Sequence, residues 1–307
     1  MKISTTLFFD RSTQMLSDVQ AQLDKTQEQL STGKQIVRPS DAPDKAATVT
    51  RLDTTIARQT GYQDTLKSVN VRLTAEETSL KNASDVLDRI KELTLQGASG
   101  TLNDQDRQSV SLEITTLREQ LLSLANSQDA NGNYLFSGSK ATQPAFSKDA
   151  KGNITYQGDQ ARLKVNVGDN RRMNLNMPGS DAFVKVNRTD AKGQTVGVDF
   201  FQSLADAATA ISTGDTAGMQ RAVTEVDTIH NGVSESLGQV GADLTVVDMQ
   251  NTVLDQMVLQ YKTTKSDLED VDYTEAVSRL NKYQLSLEAS QNSFAKISQL
   301  SLFKYLT

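Results

Sequence analysis

Leucine-rich repeats of seven residues lie at both ends of this chain, and they constrain its fold more than any other feature. The N-terminal repeat consists of Phe9, Leu16, Leu23, Leu30 and Val37, and the C-terminal repeat of Tyr273, Leu280, Leu287 and Phe294. This spacing places one apolar stripe along a helix, and such a helix needs a partner. The two ends can pair with each other or be completed by neighbouring copies, which favours an assembling structural protein over an enzyme.

Helical patterns also fill most of the interior. Helices are predicted over 12–32, 44–96 and from Asn103 to about 126, and again near 200, over 217–237 and through 240–268, with a last helix from Asp272 to about 302. The expected helix ends are Gly33 as a left-handed cap, Asp41 as the N-cap of a helix starting near Pro43, and Asp272 with Glu275 as a capping box. In the second helix, Glu76 interrupts an otherwise apolar row.

Between these helical segments the composition changes. Residues 129–138 are rich in Asn and Gly, and two tetrads of turn residues occupy 149–152 and 190–193. Short alternating runs at 154–156, 163–167 and 183–186 predict strands. We therefore expect a small β-rich insertion.

The order helices, insertion, helices predicts a mainly α fold. We expect a long antiparallel helical bundle or coiled coil formed by the N- and C-terminal segments, with the insertion at the far tip. The predicted domains are a terminal coiled-coil domain (1–42 and 271–307), a helical rod (43–139 and 200–270) and a β-rich outer domain (140–199).

The usual residues of catalytic and metal sites are scarce. The chain has no cysteine and one histidine, His230, which we interpret as a structural residue. The segment Asp129–Asn133 resembles part of a calcium loop, but Lys140 stands where that loop needs glutamate, so a tight turn is expected instead. We predict no catalytic residue, no cofactor and no metal.

Composition bears on the partners as well. The net charge of −6 disfavours nucleic acid. No stretch approaches the ~20 apolar residues of a membrane helix, so membrane insertion is not expected. The N-terminus lacks the apolar core of a secretory signal, and a protein that leaves the cell without one needs another exporter.

Several segments together resemble the flagellin family. The resemblance lies in Leu30–Asp44 (LSTGKQIVRPSDAPD), Arg89–Gln96 (RIKELTLQ) with the new helix after Asn103, and Asp272–Val277 (DYTEAV) with Gln284 behind it. It covers nearly everything outside 140–200, in the family's order. Within the family, the proline of Arg38–Asp41 and the segments Asn133–Gly138 (NYLFSG) and Gln143–Phe146 (QPAF) are similar to the hook-associated junction members rather than to filament subunits.

That resemblance implies a structural adaptor at the hook–filament junction of the bacterial flagellum, exported unfolded by the flagellar type III apparatus and located outside the cell. Its implied partners are further copies of itself in a helical ring, the first hook-associated junction protein, flagellin, and an export chaperone on the C-terminal helix. A filament subunit remains the first alternative. A secreted adhesin with helical stalks, whose insertion binds a ligand, is the second.

The repeats also predict which residues make subunit contacts. The expected interface residues are Leu16, Leu23, Leu30, Leu280, Tyr283, Leu287, Phe294 and Ile297. Polar residues elsewhere on the terminal helix make it marginal alone, because isolated helices gain most of their stability from packing. We hypothesise that both ends are mobile in the monomer and become ordered on assembly.

Overall fold

A computed structural model describes residues 2–189 and 194–303 of the chain, with side chains at 7, 9–189 and 194–296. The helices are α1 (Lys2–Thr32), α2 (Pro43–Ala98), α3 (Asp104–Ala125), α4 (Gly179–Ala182), α5 (Phe200–Thr213), α6 (Thr216–Glu269) and α7 (Tyr273–Phe303). The strands are β1 (Phe146–Lys148), β2 (Ile154–Tyr156), β3 (Lys164–Asn166), β4 (Arg172–Asn174), β5 (Val186–Thr189) and β6 (Thr195–Val198). The fold is mainly helical with a small β-rich insertion, as predicted.

Most helix ends agree with the signals in the sequence. Gly33 has a φ of +70°, which suits a left-handed cap after α1. Asn103 accepts a hydrogen bond from the Asp106 N–H at 2.8 Å, and Asp272 Oδ1 accepts from Glu275 at 3.1 Å. These side chains satisfy N–H groups that have no partner within their helices.

The prediction for Asp41 was wrong. A short 3₁₀ turn covers Pro39–Asp41, and α2 begins at Pro43, so Ala42 is the residue directly before the helix. The Asp41 carboxylate instead accepts from the Arg38 N–H at 3.1 Å and pairs with Lys25 Nζ at 2.8 Å. Both bonds lower the pKa of Asp41, with the Lys25 side chain contributing most. Asp41 therefore closes the corner between α1 and α2.

The strands of the described residues form three separate antiparallel hairpins, β1–β2, β3–β4 and β5–β6. The strands expected near 154–156 and 163–167 are present. The run 183–186 was assigned wrongly for the most part, because α4 ends at Ala182 and β5 starts only at Val186. The turn predicted at 190–193 falls outside the described residues.

The two turns at 129–133 and 149–153 have the same hydrogen-bond pattern. In each, the aspartate Oδ1 accepts from the N–H groups two and four residues later, at 2.8–3.0 Å. The glycine N–H of each turn also donates to the aspartate carbonyl at 3.0 Å. Asp129 is therefore the head of a tight turn, and the structure confirms this interpretation of the sequence over a calcium loop.

The described chain divides into two compact units. One consists of residues 1–59 and 256–307, and the other of residues 60–255. Helices α2 and α6 contribute to both. The three domains drawn from the sequence stay a prediction.

Within the unit 60–255, the insertion shares an aromatic core with the helices. Phe183 lies edge to face with Phe136, Phe146 and Phe200, at centroid distances of 5.2–5.6 Å. Phe201 at the start of α5 lies 5.2 Å from Phe146. Edge-to-face pairs of this kind stabilise a core beyond the burial of their area.

Buried and half-buried ionic groups join the same elements. Arg118 of α3 donates from Nε to the Phe201 carbonyl at 2.8 Å and from Nη2 to the Gly152 carbonyl at 3.1 Å. Arg188 of β5 forms a bidentate pair with Glu225 of α6, at 2.8 and 2.7 Å. These contacts fix the insertion on the helices at defined points.

His230 also has a structural position. Its Nε2 lies 3.1 Å from Asp88 Oδ1 and 3.4 Å from Ser84 Oγ, so it connects α6 to α2. Over the part of the chain that the structure describes, no helix combines the length and the apolar character needed to cross a membrane.

Candidate assembly surface

The first and last helices of the chain pair with each other, side by side and antiparallel. Near one end of the pair, the Phe9 and Phe294 rings meet edge to face, with centroids 5.5 Å apart. At the other end, Lys34 and Asp270 form an antiparallel bridge. Both helices rise about 1.5 Å per residue, so equal steps from Phe9 and Phe294 bring Leu16 level with Leu287 and Leu23 level with Leu280. The two seven-residue repeats thus face one another.

The structure places most of the predicted interface residues in this pair. Seven side chains are half-buried, namely Leu16, Leu23, Leu30, Leu280, Tyr283, Leu287 and Phe294. The side chain of Ile297 lies outside the described residues. A pair of helices alone covers only part of each stripe, whereas a fully packed coiled-coil seam encloses each apolar residue among four neighbours.

Two backbone hydrogen bonds join the chain segments at the end of the pair near Lys34 and Asp270. The Gln35 N–H donates to the Glu269 carbonyl at 2.6 Å, and the Val271 N–H donates to the Gly33 carbonyl at 3.0 Å. Lys34 Nζ also pairs with Glu269 Oε1 at 2.6 Å. We call residues 33–35 and 269–271 the base clamp. The clamp joins the end of α1 to the start of α7, although the two segments are far apart in sequence.

Lys265 adds a second ionic contact near the base clamp. Its Nζ lies 2.6 Å from Asp53 Oδ1 of α2 and 3.5 Å from Glu269 Oε2. The hydrogen bond to Asp53 is the main reason that the pKa of Lys265 is raised. The lysine is therefore held between two carboxylates, one of which belongs to the clamp.

A groove runs along one side of the helix pair. It has a volume of about 300 Å³ and is lined by Ser12, Met15, Leu16, Ser286, Ala289, Ser290, Ser293 and Phe294. Its lining is mostly small, and the Met15 side chain remains 63% exposed. Small residues let another backbone approach closely.

Other large apolar side chains of the pair face solvent. Leu7, Val277 and Leu285 are 50%, 46% and 69% exposed. Single exposed apolar residues are ordinary, so these three support contact with another protein only together with the half-covered stripes. This arrangement can bind a helix or another copy. Within the described part of the chain, no three His, Cys, Asp or Glu side chains gather as metal ligands.

The segments that form this pair match two family models. Residues 3–141 match the bacterial flagellin N-terminal helical region, and residues 223–306 match the bacterial flagellin C-terminal helical region. The chain belongs to the flagellin family. It is a structural protein of the bacterial flagellum and not an enzyme, in keeping with the interpretation of its sequence.

Individual similar proteins agree with this family. The chain is 29% identical to flagellar hook-associated protein 3 of Escherichia coli, over 99% of both chains, and 22% identical to a flagellin of Listeria monocytogenes, over 97% of this chain and 96% of that one. Its fold is similar to the structure of a putative flagellar hook-associated protein from Vibrio parahaemolyticus, with 22% identity and a TM-score of 0.65, over 75% of this chain and all of the other.

The sequence predicts the apolar stripes but neither the base clamp nor the groove. The repeats alone left open whether the two ends pair within one chain, and the structure shows that they do. The glycine at position 33 was the available signal for the clamp, because a left-handed residue at a helix end often marks a sharp change of chain direction. The groove had no comparable signal, since serine is common on exposed helix faces.

Proposed function

We propose that this protein is the adaptor between the hook and the filament of the bacterial flagellum. The observation that carries the proposal is the match to the E. coli hook-associated protein 3, which extends through the insertion and covers nearly all of both chains. A match to the terminal helices alone would support only the wider family.

Self-assembly would use the apolar stripes of α1 and α7. The proposed interface residues are those predicted from the repeats: Leu16, Leu23, Leu30, Leu280, Tyr283, Leu287, Phe294 and Ile297. Except for Ile297, whose side chain lies outside the described residues, their half-buried state supports this, because a further helix would cover apolar area that the single pair leaves in water. The groove beside Met15 is where such a helix would lie closest to the pair.

The neighbours in this proposal are the first hook-associated junction protein on the hook side and flagellin on the filament side. We infer that the protein reaches this place outside the cell by the flagellar type III route. An export chaperone would cover α7 beforehand, and exposed Val277 and Leu285 give such a chaperone an apolar surface to bind. The insertion 140–199 would face outward as the third domain.

A filament subunit is the alternative function. The similarity to the Listeria flagellin covers almost the whole chain and favours it to that extent. Copy number separates the two functions, because a filament contains its subunit along its entire length, whereas a junction needs few copies. Quantitative mass spectrometry of purified flagella would measure the ratio of this protein to the major filament protein.

The decisive experiment is deletion of the gene, with electron microscopy of the cells and an assay for flagellin in the medium. An adaptor predicts bare hooks and flagellin monomers lost to the medium. Intact filaments in the deletion strain would refute the junction function. If the deletion removed the main filament protein itself, the alternative would be correct.

A further inference from the structure

A buried acid in α2 is not explained by any assembly function. The Glu76 side chain is fully buried, in the second row of an otherwise apolar helix face. Among the described residues, neither of its carboxylate oxygens has a well-formed hydrogen bond. A buried carboxylate without such bonds carries a large desolvation cost if it is ionised.

Among the described residues, the cation beside this acid is Arg72, and most of its guanidinium group binds other partners. Arg72 lies one turn earlier on α2, and its Nε is 3.4 Å from Glu76 Oε1, longer than a usual charge-assisted hydrogen bond. The rest of the guanidinium group binds the loop after α3: Nη1 lies 3.3 Å from Asp129 Oδ2, and Nη2 donates to the carbonyls of Tyr134 and Leu135 at 3.2 and 3.0 Å.

The charges around this cluster do not balance if both acids are ionised. Asp129 is the more readily ionised of the two acids, because turn N–H groups donate hydrogen bonds to its carboxylate and lower its pKa. The backbone N–H of Met177 favours the ionised form of Glu76 without forming a well-aligned hydrogen bond, and the negative charge of Asp243 on α6 is a smaller effect that disfavours it. Burial, opposed only in part by Arg72, raises the pKa of Glu76 to about 8.

We propose that Glu76 is a proton-binding site and that its ionisation loosens the packing of α2 against the 129–135 loop. The protonated acid leaves Arg72 and Asp129 as one balanced pair. After ionisation, two carboxylates share one guanidinium group, and the carboxylate of Glu76 is closed to water. The inference is independent of the proposed junction function, since it concerns only the folding of the unit 60–255.

The direction of the pH effect follows from proton binding. The folded pKa of Glu76 lies above the ordinary glutamate value of 4.5, so folding takes up a proton between pH 4.5 and about 8. The stabilisation from this group is complete below pH 4.5 and is lost as the pH rises through that range. The wild-type protein should therefore lose stability towards pH 8 relative to a variant that cannot ionise at position 76.

The test compares the full-length wild type with Glu76→Gln and the matched control Glu77→Gln in thermal unfolding from pH 5 to pH 9. We expect the Tm of Glu76→Gln relative to wild type to rise by several degrees between pH 5 and pH 9. Glu77→Gln should follow the wild type, because Glu77 is only partly buried. A constant difference between Glu76→Gln and wild type at all pH values would overturn the proposal.

A second measurement covers the case in which Glu76→Gln does not fold. Carboxyl ¹³C NMR of the folded wild type, with the Glu76 signal assigned, would follow its titration directly. A midpoint near pH 8 would support the proton-binding site. A midpoint below pH 5 would mean that Glu76 is ionised in the core as an ordinary ion pair with Arg72, and the inference would be wrong.

Discussion

Phe9 and Phe294 meet edge to face at 5.5 Å, so the first and last helices of this chain are one structural unit. The contact lies at the end of the pair opposite the base clamp, and the apolar stripes lie between the two. The pair is thus fastened at both ends and only half covered in between. Such an arrangement fixes the register of the two repeats while leaving apolar area for a partner.

The aromatic contact should contribute measurably to the pairing of α1 and α7. We expect a coupling energy of about 0.5–1.5 kcal/mol between Phe9→Ala and Phe294→Ala in a double-mutant cycle, as for other aromatic pairs. Native-state hydrogen exchange of α1 amides is the suitable readout, because it detects local opening of the pair. Leu285→Ala changes an exposed residue of α7, the helix that carries Phe294. It serves as a control and should leave the exchange rates of α1 almost unchanged. Strict additivity of the two phenylalanine variants would contradict the prediction.

Assembly should depend on the stripe at Leu287. The substitution Leu287→Asp places a charge where α7 faces Leu16, and we expect it to abolish polymers in sedimentation while the helices over 44–126 stay folded by circular dichroism. Asn292→Asp introduces the same charge at an exposed position of α7 and should assemble normally. If Leu287→Asp assembled as well as this control, the stripe would not be part of the interface.

The base clamp should be sensitive to backbone conformation at Gly33. A side chain there is strained by the φ of +70°, and its Cβ would lie 2.8 Å from Tyr273 Oη. We expect Gly33→Ala to destabilise the helix pair by about 1 kcal/mol, mainly through the backbone strain. The Tyr273 side chain is 57% exposed and can move aside. Adding Tyr273→Phe to the Gly33→Ala variant should therefore restore little of the lost stability.

A second glycine provides the control for that experiment. Gly61 lies inside α2, and a Cβ added there meets no atom within 4 Å. Gly61→Ala should therefore stabilise the protein by about 0.5–1 kcal/mol, since alanine is the better helix former. Opposite signs for the two variants in chemical denaturation would support the clamp geometry, and a stabilising Gly33→Ala would exclude it.

Arg118 should contribute strongly to the stability of the unit 60–255. The substitution Arg118→Met keeps most of the apolar stem but leaves the carbonyls of Phe201 and Gly152 without their donors, at a cost of about 2–4 kcal/mol. Urea unfolding at unchanged m value would measure this loss. Arg51→Met at an exposed position of α2 is the control, with an expected change below about 0.5 kcal/mol. A loss at Arg118 no larger than at Arg51 would show that the two carbonyls do not need the guanidinium group.

The sequence predicted the features whose signals are local. Gly33, Asn103 and Asp272 mark helix ends through the chemistry of their own side chain or backbone, and the helix ends that they predict are present. The capping box predicted at Asp272 shows only its first half, because the Glu275 side chain pairs with Arg279 at 3.2 Å. Asp41 was misassigned because its carboxylate bonds to Lys25, a residue on the preceding helix that a local pattern does not include. Phe183 was placed in a strand for a similar reason, since it is an aromatic residue of the shared core.

The candidate surface was predictable in part. The repeats identified the apolar stripes, but a period of seven residues does not say which helix pairs with which, and the register follows only from contacts such as Phe9 with Phe294. Glu76 was also predictable only in part. The sequence shows that it interrupts the apolar row of α2. Its burial and the binding of Arg72 to other groups depend on the loop after α3, which the sequence does not place.

The pairing of α1 with α7 also has a consequence for the way the chain is made. The ribosome synthesises α1 long before α7. The contact between Phe9 and Phe294 can therefore form only when synthesis of the chain is almost finished. The unit 60–255 lies wholly between these two helices in sequence, so all of it is synthesised before α7. A nascent chain of this protein therefore carries one uncovered apolar stripe for a long part of its synthesis, and the arrival of α7 covers only part of it.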